Sequence, residues 1–233
     1  MKHTSFSGKL VILGFGSIAK GVLPLILRHI DMPKDRMEII TSDLRDVEIA
    51  KTLGIRHTVL PLTRDNYAAE LSTRLSAGDF LLNLSVDVSS VALVKLCREL
   101  GALYLDTCVE PWAGGYTDPA LSPSQRSNYA LRESALALKN QAGPTAVMTH
   151  GANPGLVSHF VKQALLNLAQ DLGIPADMPT TRAAWARLAH DLGIKVIHIA
   201  ERDTQVAGNM PKRRGEFVNT WSIDGFTGEG CQP

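Results

Sequence analysis

The sequence predicts an α/β fold: a Rossmann-like doubly wound parallel sheet, followed by the start of a second α/β domain that is apparently truncated. Three observations carry this. Short apolar runs alternate with longer helical patterns up to about residue 148. A glycine turn, Gly14-Phe15-Gly16-Ser17-Ile18-Ala19, separates the first apolar run from the first helical pattern. The hydrophobic share of 45% supports a well-buried core.

Taken in order, strands are expected at 9–14, 37–41, 57–60, 79–85, 102–105 and 144–148, each a short apolar run. Helices are expected near 17–30, 44–53, 66–76, 88–100 and 124–140. This alternation calls for right-handed crossovers and a parallel sheet with its ligands at the carboxyl ends of the strands. The pattern changes after "THGANPG" at 149–155. A helix over 154–172 is expected to start with Pro154 in its first turn and to carry Leu156, Val157, Phe160, Val161, Ala164, Leu165 and Leu168 on one side. Thr180 or Thr181 is the expected N-cap of a second helix. "IKVIHIAERDT" and "GEFVNTWSIDGF" read as strands. The division is thus 1–148, a nucleotide-binding domain, and 149–233, the N-terminal part of a substrate domain.

Composition removes several classes of function. A formal net charge of +1 speaks against nucleic acid as a partner. No long uncharged apolar run is present, which excludes a helical membrane span. The N-terminus lacks a signal-peptide pattern, and a cytoplasmic location is expected. Cys97, Cys108 and Cys231 are scattered and read as reduced thiols, with Cys108 expected as a small buried hydrophobe. No cluster suits a metal.

The glycine turn has the spacing G-x-G-x-x-A between a strand and a helix, the context that a dinucleotide site requires. Gly14 allows the tight turn, and Gly16 lets the backbone approach a pyrophosphate. Ser17 and Ile18 open the helix whose N–H groups would hold the phosphates. NAD is the expected cofactor. Asp43, just past the second strand, is the nearest carboxylate for the adenosine ribose, and Arg45 is the alternative, for a 2′-phosphate. Asn83 and Ser85 would line the nicotinamide side. Asp87 is either a helix cap or a substrate carboxylate. Asp106, Glu110 and Trp112 combine acid and indole, which suits a cation. His150 is a possible acid–base group or a structural one. Glu201, Arg202 and Asp203 end an apolar run, and Trp221 and Glu229 follow. Carboxylates beside tryptophans fit a substrate with ammonium groups.

The stretches "GFGSIAKGVLPLILRH", "TRDNY", "NLSVDVSS", "GALYLDTCVEPW", "RSNYALRE", "GANPGLVSHFVKQAL", "IHIAERDTQ" and "FVNTWSIDGF" together resemble bacterial homospermidine synthase, within the wider saccharopine dehydrogenase-like group. The resemblance implies a transferase with NAD as a tightly held prosthetic group. Putrescine is oxidised to an imine, ammonia leaves, a second putrescine condenses, and the stored hydride reduces the new imine. Spermidine also serves as a donor in that family. By position, the resemblance implies Glu201 as central catalytic acid, Trp221 as the indole facing the iminium, and Asn153 as an active-site amide. It implies Asp87, Glu110 and Glu229 as acids lining the substrate site, and Asn83 and Ser85 as positions close to the cofactor. The family's acid at the end of the second strand falls on Thr41 here, leaving Asp43 as the substitute. Family members are about twice as long, which marks this chain as an N-terminal portion, with a homodimer expected for the full-length protein and a second chain as one source of the missing half. Two alternatives stay open: an NAD(P)-dependent saccharopine- or opine-type oxidoreductase, and a catalytically inactive nucleotide-binding fragment.

Overall fold

The computed structural model describes residues 1–139, 142–175, 177–202, 204, 211–216 and 223–230. Residue contacts divide the chain into one unit made of 1–149 with the stretch from 220 onward, and a second unit of 150–219.

The first unit is built on a six-stranded parallel sheet. A two-residue strand β1 (Thr4–Ser5) precedes β2 (Leu10–Leu13), and helix α1 (Ser17–His29) leads to a second short strand, β3 (Ile30–Asp31). Then come β4 (Met37–Thr41), α2 (Val47–Thr52), β5 (Arg56–Val59), α3 (Tyr67–Ser72), β6 (Phe80–Asn83), α4 (Ser90–Leu100), β7 (Leu103–Asp106), α5 (Asn128–Leu136) and β8 (Ala146–Val147). The order across the sheet is β5-β4-β2-β6-β7-β8. Chain order therefore reverses at β2, which pairs with β4 on one side and β6 on the other. Open α/β sheets bind ligands outside the carboxyl ends of the strands at such a reversal.

The sheet forms because alternate residues of β2 feed two separate cores. Leu10 and Ile12 pack with Ala19 and Leu23 of α1, Met37 and Ile39 of β4, and Ala50 of α2. Val11 and Leu13 pack with Leu71 of α3, Leu93 and Val94 of α4, and Tyr104 of β7. A strand covered on both faces must be apolar at every position, and β2 is buried throughout. At the opposite end of the strands from the ligand side, buried Asp79 ties β2 to β6. Its two carboxylate oxygens accept from the amides of Lys9 (2.7 Å) and Ser76 (2.8 Å).

Several expected elements are shorter. The helix expected at 44–53 covers Val47–Thr52. That at 124–140 becomes a 3-10 turn, Pro123–Arg126, and then α5. Ser127 breaks it, because its extended backbone leaves its hydroxyl to accept from the Ala130 amide at 3.2 Å. The pair β1–β3 was not expected; two residues are too few for a period.

The second unit contains α6 (Leu156–Asp171) and α7 (Arg182–Asp191). Gly155 caps α6, so Pro154 precedes the helix rather than standing in its first turn. Thr181 is the N-cap of α7, accepting from the Ala184 amide at 3.1 Å. Of the expected α6 face, Leu165 is buried, with Ala169 one turn on and Leu188 of α7 against them. Leu156 and Phe160 are exposed. "IKVIHIAERDT" is not a strand over its described residues: Val196, Ile197 and Ile199 are exposed, and no other described segment pairs with this stretch. An apolar run makes a strand only when a neighbour takes its backbone groups. "GEFVNTWSIDGF" lies outside the described residues at 217–222. From Ile223 it is helical, as α8 (Ile223–Gly230), not a strand.

Ile39→Ala, at a fully buried position (0% exposed), is expected to cost about 3 kcal/mol through lost transfer energy and the cavity left behind. Leu25→Ala on the outer side of α1 (48% exposed) is expected to cost less than about 1 kcal/mol. Urea denaturation midpoints of the two variants check the contrast.

Candidate functional site

β2 ends at the glycine turn, and two features there make a phosphate cradle. Gly14 has φ +84°, and a Cβ on it would stand 2.6 Å from the Leu84 carbonyl oxygen. Only glycine lets the loops after β2 and β6 pass this closely. A Cβ on Gly16 would meet nothing within 4 Å, so open space faces the start of α1. Gly16 is also the N-cap of α1 and offers no side-chain acceptor, and the first turn holds no acid. The first amides of α1, those of Ser17 and Ile18 among them, are left for an outside anion, with the positive end of the helix dipole behind them. Ser17 and Ile18 are exposed, and Ala19 is buried where the helix packs on the sheet. The residues present fit a dinucleotide pyrophosphate.

Next to it, β4 ends at Thr41. Its hydroxyl donates to the Asp43 carbonyl (2.6 Å) and lies 2.9 Å from His57 Nε2. The hydroxyl has one proton and spends it on Asp43, so His57 Nε2 supplies the proton of the second bond. The Asp43 carboxylate accepts from the Arg45 amide (2.8 Å) and Nε (2.9 Å). These bonds hold its carboxyl below the usual carboxylate range.

On the other side of β2, the loops after β6 and β7 form a buried polar network. Asn83 is 2% exposed. Its amide donates to Tyr104 Oη (3.3 Å), and its Oδ1 accepts from the Ser85 hydroxyl (2.6 Å). Asn83 thus braces β6 against β7 and holds the loop at Ser85. Tyr104 Oη donates to Asp106 Oδ2 (2.7 Å), and Asp106 Oδ1 accepts from the Thr149 amide (2.6 Å). Asp106 is fully buried, and desolvation pushes its carboxyl up against the pull of these hydrogen bonds. Burial likewise holds the Tyr104 phenol well above its ordinary value.

Glu110 is the acid with the most distinctive setting. Its backbone is fixed by Ser90, the first residue of α4. The Ser90 amide donates to the Glu110 carbonyl (2.9 Å), and the Glu110 amide donates to Ser90 Oγ (3.0 Å). Its carboxyl is buried, and desolvation, aided by the nearby Asp87 charge, pushes it up to about 7. Hydrogen bonds from Cys108 and Tyr116 pull in the opposite direction and are outweighed. Asp87 itself has φ +63° and does not cap α4; Ser89 does, accepting from the Ala92 amide at 3.3 Å. Cys108 is exposed, not the buried hydrophobe expected, because the turn after β7 points it outward, whereas Cys97 is buried in α4 and its thiol is pushed up to about 12. Trp112 packs edge-on against Tyr67 at 5.1 Å, so its indole belongs to the core rim.

The first unit therefore gathers Gly14, Gly16, Ser17, Ile18, Asp43, Asn83, Ser85, Asp87 and Glu110 at the carboxyl ends of one sheet. The second unit carries Asn153, in a turn where the Gly151 amide donates to the Pro154 carbonyl (2.8 Å), and Glu201, which is exposed. His150 stacks edge-on against His159 at 5.3 Å. Trp221 and Asp203 lie outside the described residues, as does the side chain of Glu229. Sequence reasoning did not pick out Tyr104 and Ser90, which lie inside a strand and a helix and look like ordinary core. Among the described residues no group of His, Cys, Asp and Glu could hold a metal, and no helix is long and apolar enough to cross a membrane.

Residues 10–148 match the family described as the saccharopine dehydrogenase NADP-binding domain. The chain belongs to that family. Two relatives, both homospermidine synthases, come from Blastochloris viridis (54% identical over 97% of this chain and 48% of that protein) and Mesorhizobium japonicum (47% identical over 99% and 49%). The crystal structure of homospermidine synthase from Legionella pneumophila in complex with NAD superposes with a TM-score of 0.83 at 42% identity, over 96% of this chain and 46% of that one. This saccharopine dehydrogenase family member thus spans about half the length of the relatives it matches.

The Glu110 carboxyl gives a stability test. Its folded value of about 7 lies above the ordinary 4.5, so folding takes up a proton between these two values. The resulting contribution is whole below pH 4.5 and is lost as the pH rises through about 7. The loss amounts to about 3 kcal/mol. Glu110→Gln is expected to remove it and to be the more stable protein at pH 8, as read from denaturation curves of both proteins at pH 5 and pH 8.

Proposed function

We propose that this chain is the nucleotide-binding portion of a homospermidine synthase-type transferase, joining two putrescines, or putrescine and spermidine, with release of ammonia and no net redox change. The observation that carries it is the pairing of the open, uncapped start of α1 at Gly16 with the buried acid Glu110 across the same sheet end. The homospermidine synthase relatives, and the NAD held by one of them, support the same reading.

The residues of this chain would share the work in the following way. Gly14, Gly16 and the amides of Ser17 and Ile18 hold the pyrophosphate of NAD, which when bound accepts a hydride and returns it. Asn83 fixes the β6 loop through Ser85 and so sets the wall beside the cofactor. Glu110 and Asp87 draw an ammonium group into the crevice. A cation there favours the ionised form of Glu110, so a substrate amine and the Glu110 proton compete for one place. Glu201, Trp221, Asn153 and Glu229 complete the site in the whole enzyme, with Glu201 orienting and deprotonating the reacting amine. A homodimer of the full-length protein, and a partner chain supplying the remaining half, belong to the same proposal.

Two measurements test this. Gly16→Val is expected to lower the melting temperature only modestly, through a poorer N-cap, since a Cβ there meets no protein atom within 4 Å, and to weaken NAD binding by at least about tenfold in a calorimetric titration by filling the phosphate space. Unchanged affinity would move the cofactor elsewhere. Combined with the polypeptide that supplies the remaining half and incubated with putrescine and substoichiometric NAD, the protein is expected to yield homospermidine in excess of the NAD, detected by mass spectrometry. Stoichiometric NADH without polyamine product would instead establish an ordinary oxidoreductase.

A further inference from the structure

Glu110 cannot swing out of its surroundings. Its amide and carbonyl are both bonded to Ser90 (3.0 and 2.9 Å), which is fully buried at the start of α4. Whatever meets its carboxyl must therefore come to it in place. The Cys108 thiol, the Tyr116 hydroxyl and the Asp87 amide donate to that carboxyl, while the Asp87 carboxylate opposes its charge. Tyr116 arrives by a tight turn. The Gly115 amide donates to the Trp112 carbonyl (2.9 Å), and a Cβ on Gly115 would stand 2.6 Å from the Pro111 side chain. The Ala113 amide donates to the Asp87 carbonyl (3.2 Å), which ties the turn to the loop after β6. The chain thus folds back on itself, and the buried Tyr116 hydroxyl donates to the Val109 carbonyl at 3.2 Å. The Cys108 thiol makes a longer contact, 3.8 Å, to the same carbonyl. Both donors therefore have the same two acceptors, the Val109 carbonyl and the Glu110 carboxyl.

We propose that Tyr116 is a positioning residue for Glu110: its hydroxyl bonds the Val109 carbonyl while the acid is neutral and turns to the carboxylate when an arriving ammonium group ionises the acid. The proposal rests on the ammonium-binding reading of Glu110 above. A hydroxyl has one proton to donate, and an ionised acceptor takes it in preference to a neutral one, because a charge-assisted bond is roughly twice as strong. The phenol keeps its proton throughout, since burial, with the Glu110 charge beside it, holds it above its ordinary value. The proton that Glu110 loses goes to solvent, and only the direction of the tyrosine bond changes. A buried carboxylate facing an ammonium group needs such a donor to satisfy its remaining lone pairs. Cys108 contributes less, because a thiol is a weak donor and this one is exposed. The Asp87 amide is fixed in the backbone and serves both states.

Carboxyl-carbon NMR of the chain labelled at glutamate, with Glu110→Gln to identify the signal, tests this by pH titration. In the unaltered protein Glu110 is expected to titrate at about 7. In Tyr116→Phe its midpoint is expected to rise by at least about half a pH unit, because only the ionised form loses its donor, and in Cys108→Ala by less. Replacing the four tyrosines by 3-fluorotyrosine, whose more acidic hydroxyl is a stronger donor, is expected to lower the midpoint and serves where Tyr116→Phe does not fold. An unmoved or lowered midpoint in Tyr116→Phe would overturn the proposal, as would a larger shift in Cys108→Ala or a midpoint that 3-fluorotyrosine leaves in place. The same titration of the labelled chain combined with the remaining half, with and without putrescine, tests the reading beneath it. Putrescine is expected to lower the midpoint, and to lower it less in Tyr116→Phe. A midpoint that putrescine does not move in the unaltered protein removes the ammonium reading and the proposal together, whereas one that moves equally in Tyr116→Phe removes the proposal alone.

Discussion

Everything at the site depends on how closely two loops pass at the reversal of strand order. β2 lies between β4 and β6, and the turn leaving it runs against the backbone at Leu84 and Ser85. A single methyl group on Gly14 would collide with that backbone. Because the loops are this close, the start of α1 stands directly over the sheet end, and its unsatisfied amides face open space at Gly16. The same approach brings Ser85 to Asn83, so the wall on the β6 side is set by one hydrogen-bonded loop.

The electrostatics of the crevice follow from burial. Asp106 and Glu110 lie within one turn of each other in sequence, yet the structure treats them differently. Asp106 is sealed among Tyr104, Thr149 and the sheet, with its oxygens taken by protein donors. It joins the ends of β7 and β8. Glu110 is buried with a like charge beside it, and its carboxyl sits near neutrality. Such a group is poised to change charge when a cation arrives. Structural acid and responsive acid are distinguished by their partners, since the residue types are nearly the same.

The second unit shows what happens to an apolar pattern without a partner. Residues 194–200 have the composition of a strand, but they run irregularly beside α6, in a groove lined by Val157, Val161, Leu165, Ile197 and Ile199. Their side chains find partial cover, while their backbone finds no ladder among the described residues. The chain spans about half the length of its relatives.

By itself the sequence determined the alternation of strands and helices, the glycine turn, and a threonine cap at 180 or 181 for α7. Each of these follows from a local rule: a period of two or of 3.6, a required positive φ, or a hydroxyl within reach of an amide three residues on. The tertiary structure decided which acids respond to charge, and it did so through distant residues. Glu110 is fixed by Ser90, twenty positions away, and Asp106 by Thr149, forty-three away. It also decided that Asn83 braces the sheet and that Trp112 joins the core. Backbone conformation is set by near neighbours, whereas burial and hydrogen-bond partnership depend on which strands the sheet places side by side.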